Sequence, residues 1–487
     1  MDAKKIIAMY ADGKRGFCDV CLIDVDLRFA DLSNSNLSGA NLSNANLENT
    51  DLRFADLSNS NLSGANLSNA NLVGVDLRDA NLTGTNLINT NLIDANLMHC
   101  DLNGCDLRYA KLDCANFRFA NLTDVNLSSV SLGYVKLGGA ILTNANLNRS
   151  YLFKANLLDA NLSGADLSEC DLRSAILLSA NLLAANIKNA NLSQADLRYA
   201  NLSKAELQHA NLYNANLVNA DLSYSNLTRA NLREANLCGS DLSRAILAEA
   251  DFTEAVLEGV DLSYSNLTRA NLREANLREA NLCESDLNSA ILTGADFTET
   301  VLDGMFPEII PSLLNDITAL YRKSAEKLNY TSNEEETKTS LILPFIKMLG
   351  NDIHSTQEVK CEYPASFRKK KQSEKVDYAI IIDHIPFIFI EAKHWKEDPK
   401  VHNGQLAEYY AASIETKIAI VTNGIIYNFF TDSVSHNLMD EKPFFSFNIQ
   451  KYSSIDIEYL MLFHRDLLNI NNFDREKFIS HFKLFTI

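Results

Sequence analysis

The chain has 487 residues, 46% of them apolar, and a net charge of −18, so it can form two or three domains with substantial cores. No apolar run reaches the roughly 18 residues of a membrane span, and Met1–Phe17 lacks a signal-peptide core, so no membrane is expected and the cytoplasm is the default location. Residues 1–300 hold 23 basic and 36 acidic side chains, which excludes simple nonspecific coating of DNA, because phosphate contacts need Lys and Arg.

Asp2–Ala11, followed by Gly13, reads as a short helix within residues 1–16 that covers the open end of the next domain. Cys18 and Cys21 form a C-x-x-C pair, but no second pair follows at zinc spacing, so no metal is expected there. From Leu22 to Leu302 every fifth residue is Leu, Ile or Phe, and two residues before each stands a small residue such as Ala30, Ala40 or Ala55. The residue between them is mostly Asn or Asp. A period of five suits neither a helix nor a strand. It suits a coil that turns a corner every five residues, with the large and small apolar residues inward and the other three outward. Cys100, Cys105 and Cys170 fall on small inward positions and are expected to be core thiols. Asp26–Leu47 recurs as Asp51–Leu72, and an extra REANL unit later shifts a second duplication by five residues. Shifts by single units are tolerable only if all sides of the coil are equivalent, which argues for a square cross-section. Four units per coil make about 14 coils and a rod roughly 65–70 Å long. All seven prolines lie at or beyond Pro307, so none removes a donor from the stack.

This segment, residues 17–305, resembles the pentapeptide-repeat family, which implies a right-handed quadrilateral β-helix. Family members include proteins that imitate DNA and bind topoisomerases. Here the acidic balance permits that role. Asn and Asp also suit tight corners, and mixed doublets such as Arg233-Glu234, Arg273-Glu274 and Arg278-Glu279 read as a solvated face. A scaffold that binds or senses a protein partner is the broader expectation.

After Leu302 the register stops. Residues 306–330 form a junction with helical spacing through Leu313, Leu314, Ile317, Leu320 and Tyr321, and Asn329–Asn333 reads as a hinge. In residues 331–487 the expected elements are a helix over Glu334–Leu349, strands over Lys375–Ile382 and Phe387–Lys393 joined by a turn at Asp383–Pro386, a helix over Gln405–Ser413, and strands over Lys417–Thr422 and Tyr427–Phe430. That order makes a small α/β core, so the fold class is mainly β solenoid plus an α/β domain. Phe444–Ile487 carries no readable motif.

A hairpin centred near His384 sets Asp377 opposite Glu391, with Lys393 on the same face and Ala392 turned inward. Two close carboxylates repel unless a cation joins them, and hard oxygen ligands suit Mg²⁺ or Mn²⁺. Such an ion polarises a phosphate and activates water, while a nearby lysine stabilises developing charge. A surface ion pair would produce the same D…E-x-K string. His354, His384, His394 and His402 are dispersed and are not read as ligands.

The strings NEEETKTSLILPFIKMLGND, VDYAI, FIEAKHW, QLAEYY and VTNG resemble the N-terminal nuclease domain of type I restriction enzyme R subunits, within the PD-(D/E)xK superfamily. The resemblance covers about a hundred residues. It implies that Asp377, Glu391 and the Ala392 position hold the metal, that Lys393 is the catalytic lysine, and that Glu334, or Glu335 beside it, is the acidic residue of the first helix. Gln405 and Tyr409 match a Q-x-x-x-Y element near the active site, with Gln405 touching DNA. Arg368, Lys369, Lys370 and Lys371 precede the first catalytic strand and suit phosphate contact. Thr422-Asn423-Gly424 is implied to be a structural turn. No phosphate loop or helicase motor follows, so translocation is not expected. The expected function is Mg²⁺-dependent cutting of DNA, in restriction or antiviral defence by family analogy. Cutting both strands calls for two active sites, which a homodimer would supply.

Overall fold

The computed structural model describes residues 1–302, 310–327, 333–364, 375–399, 406–407, 410, 416–431 and 439–464. The chain divides into two compact units: Met1–Leu287 with Glu299–Met305, and Asn288–Thr298 with Phe306–Ile487.

In the first unit each coil takes twenty residues. Parallel bridges join Gly16 to Asn36, Cys21 to Asn41, Asp26 to Asn46, and so on to Asn281 with Val301, always at that offset. Four pentapeptides therefore close one square turn. The ladder alternates donors around each coil: the Leu22 amide donates to the Asn41 carbonyl at 2.7 Å and the Asn41 amide to the Val20 carbonyl at 2.9 Å. Leu27, Leu32, Leu37 and their successors are fully buried, as are Ala40, Ala45 and most small residues two positions before them. Each buried leucine contributes about 1.5–3 kcal/mol of apolar transfer.

The corners explain the rest of the repeat. The Ala30 amide donates back to the Leu27 carbonyl at 3.1 Å, and the residue between, Phe29, has φ +63°. This is the geometry of a type II turn, which requires a left-handed residue. The same conformation recurs every five residues from Asp19 to Glu299, filled by Gly, Asn and Asp but also by Phe54, Tyr109 and Ala184. Each non-glycine there costs about 1–2 kcal/mol, an expense that only continuous stacking offsets. The Asn or Asp before each leucine braces its corner: Asn36 Oδ1 accepts from the Ser38 amide at 3.0 Å and Asp31 Oδ1 from the Ser33 amide at 2.9 Å. Asparagines also bond one another between coils, as in Asn86 Nδ2 to Asn66 Oδ1 at 3.0 Å.

Helix α1 (Ala3–Ala11) starts at Asp2, whose side chain caps the Lys5 amide, and buries Ile6. Tyr10 Oη donates to the Ser33 carbonyl at 2.8 Å, tying the helix to the first coils.

In the second unit α2 (Ile310–Lys327) buries Leu313, Leu314, Ile317 and Leu320, and Thr318 Oγ1 donates to the Ala295 carbonyl at 2.8 Å. Hinge residues 329–332 lie outside the described residues. Helix α3 runs as Glu334–Thr337, widens to a π segment over Lys338–Ile342, and continues over Leu343–Met348. Pro344 lacks an amide proton, so an α-helical ladder cannot run unbroken through it. A six-stranded sheet follows in the order β1 (Val359–Pro364), β2 (Lys375–Ile382), β3 (Ile385–Ala392), β4 (Ile418–Thr422), β5 (Ile426–Phe430) and β6 (Phe445–Asn448). Among the described strands of this sheet, only β3 and β4 run parallel. One face packs Val376, Phe389, Leu406, Tyr410 and Phe430. Elsewhere Phe345 of α3 stacks on Tyr427 with ring centroids 3.6 Å apart.

Three details differ from expectation. Strand β1 was not anticipated, because its residues alternate charged and apolar side chains too weakly to stand out. The turn after β2 is only Asp383-His384, both with positive φ, so β3 begins at Ile385 rather than Phe387. The tail without a readable motif supplies β6 and α4 (Ser454–Met461), capped by Ser453 and Asp456. There the Tyr452 amide donates to Thr293 Oγ1 at 2.9 Å. Of the helix expected over Gln405–Ser413, Leu406, Ala407 and Tyr410 are described and helical.

Candidate active site

The two-residue turn alone would pair β2 and β3 one step out of the expected register. It does so near the turn, where Ile381 faces Pro386, but a bulge between Ile380 and Ile381 shifts the pairing, and Tyr378 faces Ile390. Asp377 and Glu391 are the next residues along the two strands, close enough for the Asp377 charge to act on Glu391. Bulges of this kind re-aim side chains near functional sites.

Asp377 Oδ2 accepts the Ala392 amide at 2.8 Å, and Lys393 Nζ lies 2.9 Å from Glu391 Oε1. The Lys393 amide donates to the Thr422 carbonyl at 2.8 Å, which anchors that residue to β4. The Glu391 side chain is 6% exposed, and its second oxygen, Oε2, is buried with no hydrogen-bond partner among the described residues. Burial and the neighbouring Asp377 charge push the Glu391 carboxyl above its usual range, against the pull of Lys393. Burial alone would depress the Lys393 ammonium, but Glu391 and the surrounding carboxylates more than reverse this and raise it.

Helix α3 adds the rest of the cluster. Asn333 caps it through the Glu336 amide, and Glu334 lies in its first turn. Glu334 Oε1 is 3.1 Å from Lys338 Nζ, and Lys338 Nζ is 2.6 Å from Asp377 Oδ1. Glu334 thus reaches the carboxylate pair through a lysine. Glu335 is far more exposed and stands 4.0 Å from the same ammonium. Lys338 is the member of this cluster that sequence reasoning missed. Its spacing of four from Glu334 was visible, but its reach to Asp377 depends on how α3 lies on the sheet.

The turn after β4 supports the site from behind. Asn423 Nδ2 donates to the carbonyls of Trp395 at 3.0 Å and Glu397 at 2.9 Å, holding the loop that follows Lys393. Gly424 has φ +80°, and a Cβ there would meet Leu341 Cβ at 2.8 Å, so only glycine lets α3 approach. Gln405, Tyr409, His402 and the Arg368–Lys371 cluster lie outside the described residues. His354 and His384 belong to turns, and neither joins this cluster; His394 Nδ1 accepts the Lys396 amide at 3.3 Å.

Among the described residues no group of three His, Cys, Asp or Glu side chains stands ready to hold a metal ion. The donors present are two carboxylates, and Mg²⁺ commonly uses one or two while keeping several waters. The unpartnered, buried Glu391 oxygen beside Asp377 fits such an ion.

The chain matches the family described as pentapeptide repeats (8 copies) in successive stretches from residue 21 to residue 304. It belongs to the pentapeptide-repeat family. Among solved structures it is similar to HetL, a pentapeptide-repeat protein involved in heterocyst differentiation regulation from the cyanobacterium Nostoc sp. strain PCC 7120, at 32% identity over 61% of this chain and 98% of that one, with a TM-score of 0.19. A thylakoid-lumen pentapeptide-repeat protein of Arabidopsis thaliana matches at 35% identity over 20% of this chain and 69% of that one, with a TM-score of 0.20. QnrB1, a plasmid-mediated fluoroquinolone resistance protein, matches at 24% identity over 40% of this chain and 97% of that one, with a TM-score of 0.25. No curated protein matches the chain. Among the described residues no helix is long and apolar enough to cross a membrane.

Proposed function

We propose that the C-terminal unit is a metal-dependent endodeoxyribonuclease and that the pentapeptide-repeat unit recruits it to, or triggers it through, a protein partner, in restriction or antiviral defence. The observation that carries this reading is Glu391: a buried carboxylate with one oxygen on Lys393, the other without a partner among the described residues, and the Asp377 charge beside it. A buried carboxylate oxygen left open beside a second carboxylate is the kind of group a bound ion completes, which supports this reading. Asp377, Glu391 and the backbone carbonyl of Ala392 would hold Mg²⁺ or Mn²⁺, which would supply charge to a phosphodiester and acidity to a bound water. Lys393, already oriented by Glu391, would stabilise charge developing on the phosphate. Asn423 keeps the loop after Lys393 in place, so the lysine approaches substrate from a fixed direction. Gln405 and Arg368–Lys371 would contact DNA, and a homodimer would cut both strands.

The test is plasmid cleavage by the full chain in Mg²⁺, alongside Asp377→Ala and Lys393→Ala. Cutting that needs the metal and disappears in both variants supports the enzyme. Equal cutting by all three proteins rules these residues out.

A second reading rests on the repeat unit. Glu234, Glu254 and Glu274 occupy successive coils of one corner, and residues 1–300 are strongly acidic, as a DNA mimic would require. Inhibition of a topoisomerase by the full chain, unchanged in Asp377→Ala, would favour that non-enzymatic role.

A further inference from the structure

Asp377 has both oxygens engaged. Oδ2 takes the Ala392 amide, and Oδ1 takes the Lys338 ammonium at 2.6 Å. Lys338 is held from its own helix by Glu334 at 3.1 Å, and its side chain is only 15% exposed. The helix departs from α geometry at this residue, entering the π segment Lys338–Ile342; such widenings recur at functional sites. The arrangement aims a lysine at the oxygen through which Asp377 would bind a cation.

We propose that Lys338 is a built-in counter-ion that competes with the divalent metal for Asp377 Oδ1, so that the site loads metal only by displacing the ammonium. The inference rests on the nuclease reading above. A Mg²⁺ ligand oxygen lies about 2.0–2.1 Å from the ion. An ammonium on the same oxygen would then sit within a few ångströms of a double charge, in a site where water screens poorly. One cation must leave. Glu334 gives the departing ammonium a resting place on its own helix, and a substrate phosphate offers it a stronger one. Metal affinity is therefore set below what the carboxylates alone would provide, and phosphate and metal favour each other's binding.

Calorimetric titration of the full chain with Mn²⁺ tests this without relying on activity. Lys338→Gln, with Lys338→Met as a second neutral variant, should bind Mn²⁺ about tenfold more tightly than the parent. Lys338→Arg should keep the parent's affinity, and Asp377→Asn should bind weakly or not at all. Parent-like or weaker binding by both neutral variants, with the parent itself binding Mn²⁺ through Asp377, overturns the competition and leaves the nuclease reading intact. Failure of the parent and of both neutral variants to bind Mn²⁺ overturns the nuclease reading and this inference with it.

Discussion

The Ala392 amide donates to Asp377 at 2.8 Å, tying the last residue of β3 to the third residue of β2. This bond sets Asp377 beside Glu391 although the tight turn at Asp383-His384 would by itself misregister the pair. The bulge at Ile380/Ile381 reconciles the two.

Loss of Lys393 is predicted to destabilise the fold in a pH-dependent way. Lys393→Met removes the partner of Glu391 Oε1, a buried carboxylate oxygen, which costs about 3–5 kcal/mol. Glu391 has a raised pKa, so its ionised form is the disfavoured one in the folded protein. The penalty should be nearly absent below pH ~4, where the unfolded and folded carboxyls are both protonated. It should grow as pH rises past the folded-state pKa. Thermal melts of parent and variant from pH 4 to 8 measure it; a melting difference that stays constant with pH contradicts the prediction.

Acid should act on the repeat unit in the opposite direction. Asp26 is held at a pKa of about 2, first by the Arg28 side chain and then by its amide. A depressed carboxyl stabilises the fold above its unfolded pKa and loses that contribution as pH falls toward 2. Carbon-detected NMR titration should place the Asp26 midpoint near 2, and Arg28→Ala should return it toward the ordinary value.

Corner chemistry can be read by paired substitutions. Ala184 has φ +55°, so Ala184→Gly should stabilise the protein by about 1 kcal/mol. Gly139 has φ +67°, and a Cβ there would lie 2.5 Å from the Phe119 ring, so Gly139→Ala should destabilise by more than that. Denaturant unfolding of the two variants checks the opposite signs.

Thiol reactivity should separate inside from outside. Burial pushes Cys100, Cys105 and Cys170 up to about 12, and each thiol donates to a carbonyl, of Leu77, Leu82 and Leu147 respectively. Exposed Cys18, Cys21 and Cys114 should alkylate in minutes under native conditions, and the three core thiols only after unfolding. Mass mapping of labelled peptides would expose any opening of the coils.

What the sequence determined by itself was the repeat unit, because a five-residue period is local and uninterrupted. Leu22 through Leu302 could point only inward, and Asn36 and its counterparts could only brace corners, so period alone specified coil, core and surface. The hairpin strands were also legible, since alternation is a nearest-neighbour property. Tertiary structure decided what depends on distant segments. Strand β1, the contacts of Tyr452 with Thr293, and the support of the Trp395 loop by Asn423 all join residues far apart in the chain. Lys338 is the sharpest case. Its spacing from Glu334 follows from the helix, but its place on Asp377 comes from packing α3 against the sheet through Gly424, an approach no local pattern encodes.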